Sequence, residues 1–224
     1  IVPAGETWAL TNFRWLFYQT GPPTSGTITS VDMNIHVGTL GLQGAATIPG
    51  PGDVFQSAAW TGVYRVLDTD LTAINRALID VTCDGSWAGS LGSGTYWLDA
   101  NAAGSLTSGP WTPPTVLPNM TGVEGCQQVP AWNAHQAIGA GGAFAQVFDD
   151  GFPAGTINDC VDMVFQVEGT GGGGGFQTFC NSRPSSLPNC TPSLAGPTSA
   201  NKSGSPAALV TAGPVPGGNF PSIL

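Results

Sequence analysis

Apolar side chains recur at every second position in three segments of the chain, 31–37, 77–83 and 161–167. Successive side chains of a β-strand point to opposite faces of a sheet, whereas a helix repeats every 3.6 residues. In the first segment Asp32, Asn34 and His36 share the face opposite to the apolar residues. Each of the three segments is therefore predicted to be a strand with one buried face.

The opening of the chain carries a strand in which the apolar parity changes. Trp8 and Leu10 share one face, whereas Phe13 and Trp15 fall on the other. Two explanations stay open: the strand is buried on both sides, or a β-bulge near Asn12 resets the alternation.

Glycine and proline are too frequent for a helical protein, because 33 Gly and 19 Pro occur in 224 residues. Both residues interrupt helices, and they cluster in segments that we predict to be turns, such as 20–24 and 49–52. Further strands are predicted within 62–67 and 95–99. We predict an all-β chain that forms an antiparallel β-sandwich of the jelly-roll type.

A run of five glycines, 171–175, marks the predicted domain boundary, because its backbone is too flexible for the interior of a strand. Residues 1–169 are predicted to form the β-sandwich domain, and residues 170–175 a Gly-rich linker. Residues 176–224, a short Cys-containing C-terminal segment, contain too few apolar residues for a core of their own. They are predicted to be a tail or the truncated start of a second module, and we expect both ends of the chain to be cut from a longer protein.

Charge is sparse and unbalanced, and this excludes two classes of partner. Charged residues make up 8% of the chain, and 14 acidic residues face 5 basic ones, for a formal net charge of −9. Nucleic acids and anionic membrane surfaces attract basic proteins, so neither is an expected partner. No apolar run reaches the roughly 18 residues of a membrane span, so membrane insertion is not expected either.

Five cysteines without the spacing of zinc ligands predict disulfide bonds, and therefore a secreted, extracellular or cell-surface location. Cys180 and Cys190 lie close enough in sequence for a local bridge, and Cys126 and Cys160 are candidate partners across the larger domain. Cys83 is left over. Three explanations stay open for it: a free thiol, an intermolecular bridge, or a partner outside this stretch of chain, which is the one we favour.

The segment Gly94–Pro114 (GTYWLDANAAGSLTSGPWTPP) resembles part of a widespread set of secreted proteins from environmental bacteria. These include planctomycete proteins and others with cell-surface sorting tails. The opening Val2–Trp8, the motif Tyr64–Leu67 and the strand Val161–Gly169 resemble the same proteins. The resemblance spans residues 1–169 and implies a secreted or surface-displayed β-sandwich of largely uncharacterised role. It implies no catalytic residues.

Tryptophan is the best candidate for ligand contact. Trp111, in a loop rich in proline and glycine, and Trp132 are predicted to stack on sugar rings through their apolar faces. Asn133 or Gln136 would supply hydrogen bonds, and the alternative is that both indoles are buried. The tryptophans in strand-like stretches are predicted to be buried: Trp8, Trp15, Trp60 and Trp97.

Carboxylates near glycine and asparagine are candidate ligands for a structural calcium ion, because calcium prefers hard oxygen ligands. Asp149, Asp150 and Asp159 are the residues concerned, and ordinary solvated acids are the alternative. Hydrolytic chemistry has less support, since no Gly-x-Ser-x-Gly motif occurs. His36 is predicted to be a solvated side chain, and His135 is the better catalytic candidate.

Together these features predict a non-enzymatic extracellular surface or matrix module for adhesion or assembly, such as a filament or layer subunit. Its expected partners are copies of itself, other surface proteins or glycans. A carbohydrate-binding module is the alternative. A secreted hydrolase acting through Asp99, His135 or Asp149 is the hypothesis we favour least.

Overall fold

The computed structural model describes residues 1–21, 26–38, 46–66, 70, 72–121, 134–137, 143–149, 159–171 and 175–181. That part of the chain is all-β, and its one helical element is a single 3₁₀ turn, Ser86–Ala88. The strands are β1 (Trp8–Phe17), β2 (Ile28–Val37), β3 (Thr47–Asp53), β4 (Phe55–Tyr64), β5 (Ala77–Asp84), β6 (Ser90–Leu91), β7 (Tyr96–Gly104), β8 (Pro114–Thr121), β9 (His135–Ala137), β10 (Phe144–Gln146), β11 (Phe148–Asp149), β12 (Asp159–Met163), β13 (Phe165–Gly171) and β14 (Gly175–Asn181).

The strands form two main antiparallel sheets. The large sheet has the order β14-β13-β1-β5-β4, with β6 added beside β1. The small sheet has the order β3-β2-β7. Strands β11, β12 and β8 form a further three-stranded sheet, and β9 and β10 form a hairpin.

One hydrophobic core collects side chains from both main sheets. The buried core members at alternate strand positions are Phe13, Trp15 and Phe17 from β1, Val31, Met33 and Ile35 from β2, and Ala77, Ile79, Val81 and Cys83 from β5. The alternation predicted for segments 31–37 and 77–83 is therefore confirmed, because apolar positions two residues apart meet the same core.

Of the two explanations for the parity change in the first strand, the β-bulge near Asn12 is present. The register of β1 against β13 shifts between Leu10 and Asn12, and Thr11 between them is exposed. The extra residue lets Leu10 and Phe13 face the same core although their sequence parity differs.

The third alternating segment is divided between two strands rather than forming one. Strand β12 ends at Met163 and β13 begins at Phe165, with the buried Val164 between them. Gln166, expected on the polar face, is buried, and its Nε2 donates a hydrogen bond of 2.7 Å to Glu168 Oε1. The outer face of the large sheet is therefore not fully open to solvent at this point.

The glycine run connects two paired strands. Gly171 at the end of β13 lies opposite Gly175 at the start of β14, and the pairing continues to Phe165 opposite Asn181. Residues 175–181 thus extend the large sheet. The division of the chain at residue 169 stays a prediction, and residues 182–224 lie outside the described residues.

Cys83 is a free thiol at the centre of the core. Our favoured explanation, a partner beyond this stretch of chain, finds no support here, because a fully buried sulfur cannot reach one without the core opening. Burial, with a smaller contribution from the negative charge of Asp53, raises the pKa of the thiol to about 12. Cys126 and Cys190 and the side chains of Cys160 and Cys180 lie outside the described residues, so both predicted disulfides stay predictions.

We expect Cys83 to resist alkylation in the folded protein, because the thiolate is the reactive species and this thiol is both buried and hard to ionise. At pH 8, iodoacetamide should label the Cys83 peptide in 6 M guanidinium but leave it unlabelled in native protein, as measured by mass spectrometry. Stability should also fall as the pH rises from about 9 towards 12, since the unfolded thiol loses its proton before the folded one does. Cys83→Ala should flatten that decline. Equal labelling rates in native and denatured protein would contradict the buried position.

Candidate functional site

Trp111 lies on the surface, as the loop hypothesis required. Its side chain is 49% exposed, and its Nε1 donates a hydrogen bond of 3.4 Å to Ser108 Oγ. Its backbone forms two hydrogen bonds with Tyr18, each 2.8 Å long, so the exposed indole stands on a fixed backbone. Trp132 and Asn133 lie outside the described residues, and the predicted ligand contact stays a prediction.

The prediction that Trp60 is buried is wrong, because this residue is 39% exposed. Its ring lies 5.5 Å from that of Tyr64, and its Nε1 donates to Val63 O at 3.3 Å. The cause is the position of β4, which is the last strand of the large sheet in the described part of the chain and shifts register after Trp60. Of the other strand tryptophans, Trp15 is buried, and Trp8 and Trp97 are partly buried.

The β9-β10 hairpin has one face towards the small sheet and one face towards solvent. Gln136, the predicted hydrogen-bonding residue, is exposed on the solvent side. On the other side, the His135 ring meets Trp97 edge to face at 5.7 Å, and the Phe144 ring meets His36 at 5.3 Å. Both histidines of the chain thus lie at the same end of the small sheet.

The outer face of the small sheet carries a hydrogen-bonded set of four side chains, Asn34, His36, Thr47 and Asp99, which we call the polar network. Asp99 Oδ2 lies 3.4 Å from Asn34 Nδ2 and 3.4 Å from His36 Nε2. His36 Nδ1 lies 3.2 Å from Thr47 Oγ1, and the backbone N–H of Gly50 donates to Asn34 Oδ1 at 3.3 Å. The network therefore ties all three strands together.

The polar network can do two things chemically. A carboxylate beside Nε2 favours the tautomer in which that nitrogen holds the proton, so Nδ1 accepts from the Thr47 hydroxyl. The row of Thr47 hydroxyl, His36 imidazole and Asp99 carboxylate can move a proton. The amide of Asn34 and the carboxylate of Asp99 can also bind hydroxyl groups of a ligand. His36, expected as a solvated side chain, has a side chain only 17% exposed.

The predicted calcium ligands are only partly described. Asp149 of β11 lies directly opposite Asp159 of β12, while Asp150 lies outside the described residues. Among the residues that the structure describes, no three His, Cys, Asp or Glu side chains group together as a metal site requires. Calcium at these aspartates stays a prediction.

Strand β4 ends the large sheet and strand β3 ends the small sheet. The two strands differ in how well they are protected from pairing with a further strand. Natural edge strands are protected from pairing by charged side chains and prolines. Strand β3 contains Pro49 and Pro51, which lack the N–H needed for pairing. Strand β4 contains neither a proline nor a charged residue over its full length, Phe55–Tyr64. It is therefore the less protected edge of the two.

The chain matches no family model, and comparisons with curated proteins and with solved structures found no match. Within the described ranges, no helix has the length and apolar character needed to cross a bilayer.

Proposed function

We propose that this chain is a non-enzymatic extracellular surface or matrix module that assembles with copies of itself, and that its two main sheets form a β-sandwich of the jelly-roll type. The observation that carries the proposal is the unprotected edge of β4. An extended strand that adds to such an edge gains a row of backbone hydrogen bonds, which is a recurrent mode of protein assembly.

The charge of the chain makes β4 the favoured place for self-association. A net charge of −9 makes most faces of two copies repel each other. Strand β4 lacks acidic residues, so two β4 strands can approach without that repulsion. Trp60 adds a partly exposed indole, which is the residue type enriched in protein interfaces.

The residues that flank β4 are complementary in an antiparallel pair. Asp53 precedes the strand and Arg65 follows it. In a two-fold antiparallel pairing the start of one strand lies beside the end of the other, so Asp53 of one copy would meet Arg65 of the second copy at both ends. A parallel pairing would instead place like charges together.

We expect Ala59→Lys to abolish self-association, because Ala59 is exposed on β4 and a lysine there introduces the protection that the edge lacks. Sedimentation velocity over a hundredfold concentration range should show wild-type protein associating and the variant as a monomer. The matched control is Thr170→Lys, which places the same charge on an exposed position of β13 and should associate like the wild type. A wild-type monomer at every concentration would overturn the proposal.

A carbohydrate-binding module is the second candidate function. It is favoured by the 49% exposed indole of Trp111 on its fixed backbone, because an exposed flat ring on a rigid support can stack on a sugar. Both proposals include the extracellular location that the five cysteines predict. The two functions are compatible, since an adhesive matrix can contain both protein and polysaccharide.

A further inference from the structure

We propose that the outer face of the small sheet binds a neutral oligosaccharide. This inference deepens the carbohydrate-binding candidate and places the ligand at the polar network rather than at Trp111. It does not depend on β4, which belongs to the other main sheet.

The face is a strip of planar polar side chains on two adjacent strands. Residues of β2 and β7 that lie opposite each other share it as three pairs: His36 with Trp97, Asn34 with Asp99, and Asp32 with Asn101. Four residues separate the first pair from the last, which is about 13 Å along a strand. Amide and carboxylate groups can each bind two neighbouring hydroxyls, so the strip offers several contacts to a sugar chain.

The hydrogen bonds of the polar network hold its side chains in place, and the Asp99 carboxylate keeps one oxygen available for a ligand. The network distances of 3.2–3.4 Å exceed the usual length of about 2.9–3.0 Å. Asp99 has a side chain 28% exposed, and within the described residues its Oδ1 makes no hydrogen bond. Side chains fixed in advance lose less conformational entropy when a ligand binds, which favours binding.

The aromatic end of the strip supplies apolar contact. There the Trp97 ring meets the His135 ring, and the His36 ring meets the Phe144 ring, each edge to face. Gln146, directly opposite His135 in the hairpin, has a buried Nε2 without a hydrogen-bond partner in the described part of the chain. A buried N–H without an acceptor is rare in folded proteins. A ligand bound beside the hairpin would supply the missing acceptor.

The charge of the face selects a neutral ligand. Strands β2, β3 and β7 contain no lysine or arginine. Their acids include Asp99 in the network and the directly opposed Asp32 and Asp53. A sulfated or uronic-acid polymer would be repelled, whereas uncharged hydroxyl groups would not.

The test is an array of neutral and acidic glycans probed with the full chain, followed by calorimetric titration of the best neutral oligosaccharide. We expect Asn101→Ala and Asp99→Ala each to weaken binding at least tenfold. Asn101 is exposed, so its variant should keep the melting temperature of the wild type. Thr170→Ala, on the large sheet, is the matched control and should bind normally.

Three outcomes would overturn this inference: no neutral glycan bound, binding unchanged in Asn101→Ala, or binding lost only in Trp111→Ala. The last result would move the ligand to the loop and would leave the carbohydrate-binding candidate standing. The Ala59→Lys variant separates this inference from assembly, because it should be a monomer that still binds the glycan.

Discussion

The Phe13→Ala variant is expected to lose about 4 kcal/mol of its free energy of unfolding. Phe13 is fully buried in β1, the middle strand of the large sheet, between Cys83 on β5 and Val167 on β13. Its ring also lies 6.3 Å from that of Trp87. Truncation removes the apolar contacts of the ring and leaves a cavity that two neighbouring strands prevent from collapsing.

Urea unfolding followed by tryptophan fluorescence measures this loss. Globular proteins have free energies of unfolding of about 5–15 kcal/mol, so the variant should unfold at a much lower urea concentration. Ile74→Ala is the matched control, because Ile74 is an exposed apolar side chain and its loss should change stability by less than about 0.5 kcal/mol. Similar midpoints for both variants would show that Phe13 is not in the core.

The second large loss of stability is expected when the ion pair between Arg14 and Asp80, on the outer face of the large sheet, is broken. Arg14 Nε donates to Asp80 Oδ1 at 3.2 Å, and a second contact joins Nη2 to Oδ2. The Arg14 and Asp80 side chains are 28% and 11% exposed, so removing the carboxylate leaves a partly buried guanidinium without this partner. We expect Asp80→Ala to cost about 3 kcal/mol.

The double replacement Arg14→Met with Asp80→Leu distinguishes a net attraction from the cost of an unpaired charge. It should restore most of the stability lost in Asp80→Ala, since neither charge of the pair then remains. Asp70→Ala is the control, because Asp70 is exposed and its side chain accepts hydrogen bonds from the neighbouring Thr72, and it should unfold like the wild type. A double variant as unstable as Asp80→Ala would contradict the explanation.

The sequence predicted best those strands that have one buried face and one exposed face, because their apolar and polar side chains then alternate. In β2, Val31, Met33 and Ile35 are buried and Asp32 is exposed, as the alternation requires. The bulge in β1 was also predictable, because a change of apolar parity within a strand has few physical causes.

The errors share a different cause, which is that they depend on neighbours distant in sequence. Trp60 is exposed because β4 ends a sheet, and strand order is not visible in the strand itself. Gln166 is buried although it lies on the polar parity of its strand, which local alternation does not reveal. Periodicity predicts which face a residue takes and leaves open what lies against it.

The polar network shows the same limit. Alternation placed Asn34 and His36 together on the polar face of β2, which the structure bears out. The residues that complete the network, Thr47 and Asp99, come from strands 11 and 63 residues away from His36. Nothing in the sequence around His36 indicates that β7 pairs with β2, so a solvated histidine was the natural expectation.

The measurement that tests assembly through β4 most directly is hydrogen–deuterium exchange of the full chain at low and high protein concentration. The backbone amides of residues 55–59 on the edge strand should become protected as the protein associates, while the proline-containing β3 should not change. Ala59→Lys should show no such protection at any concentration. Association without protection of β4, or protection that is independent of concentration, would contradict the proposal that this edge joins one copy to the next.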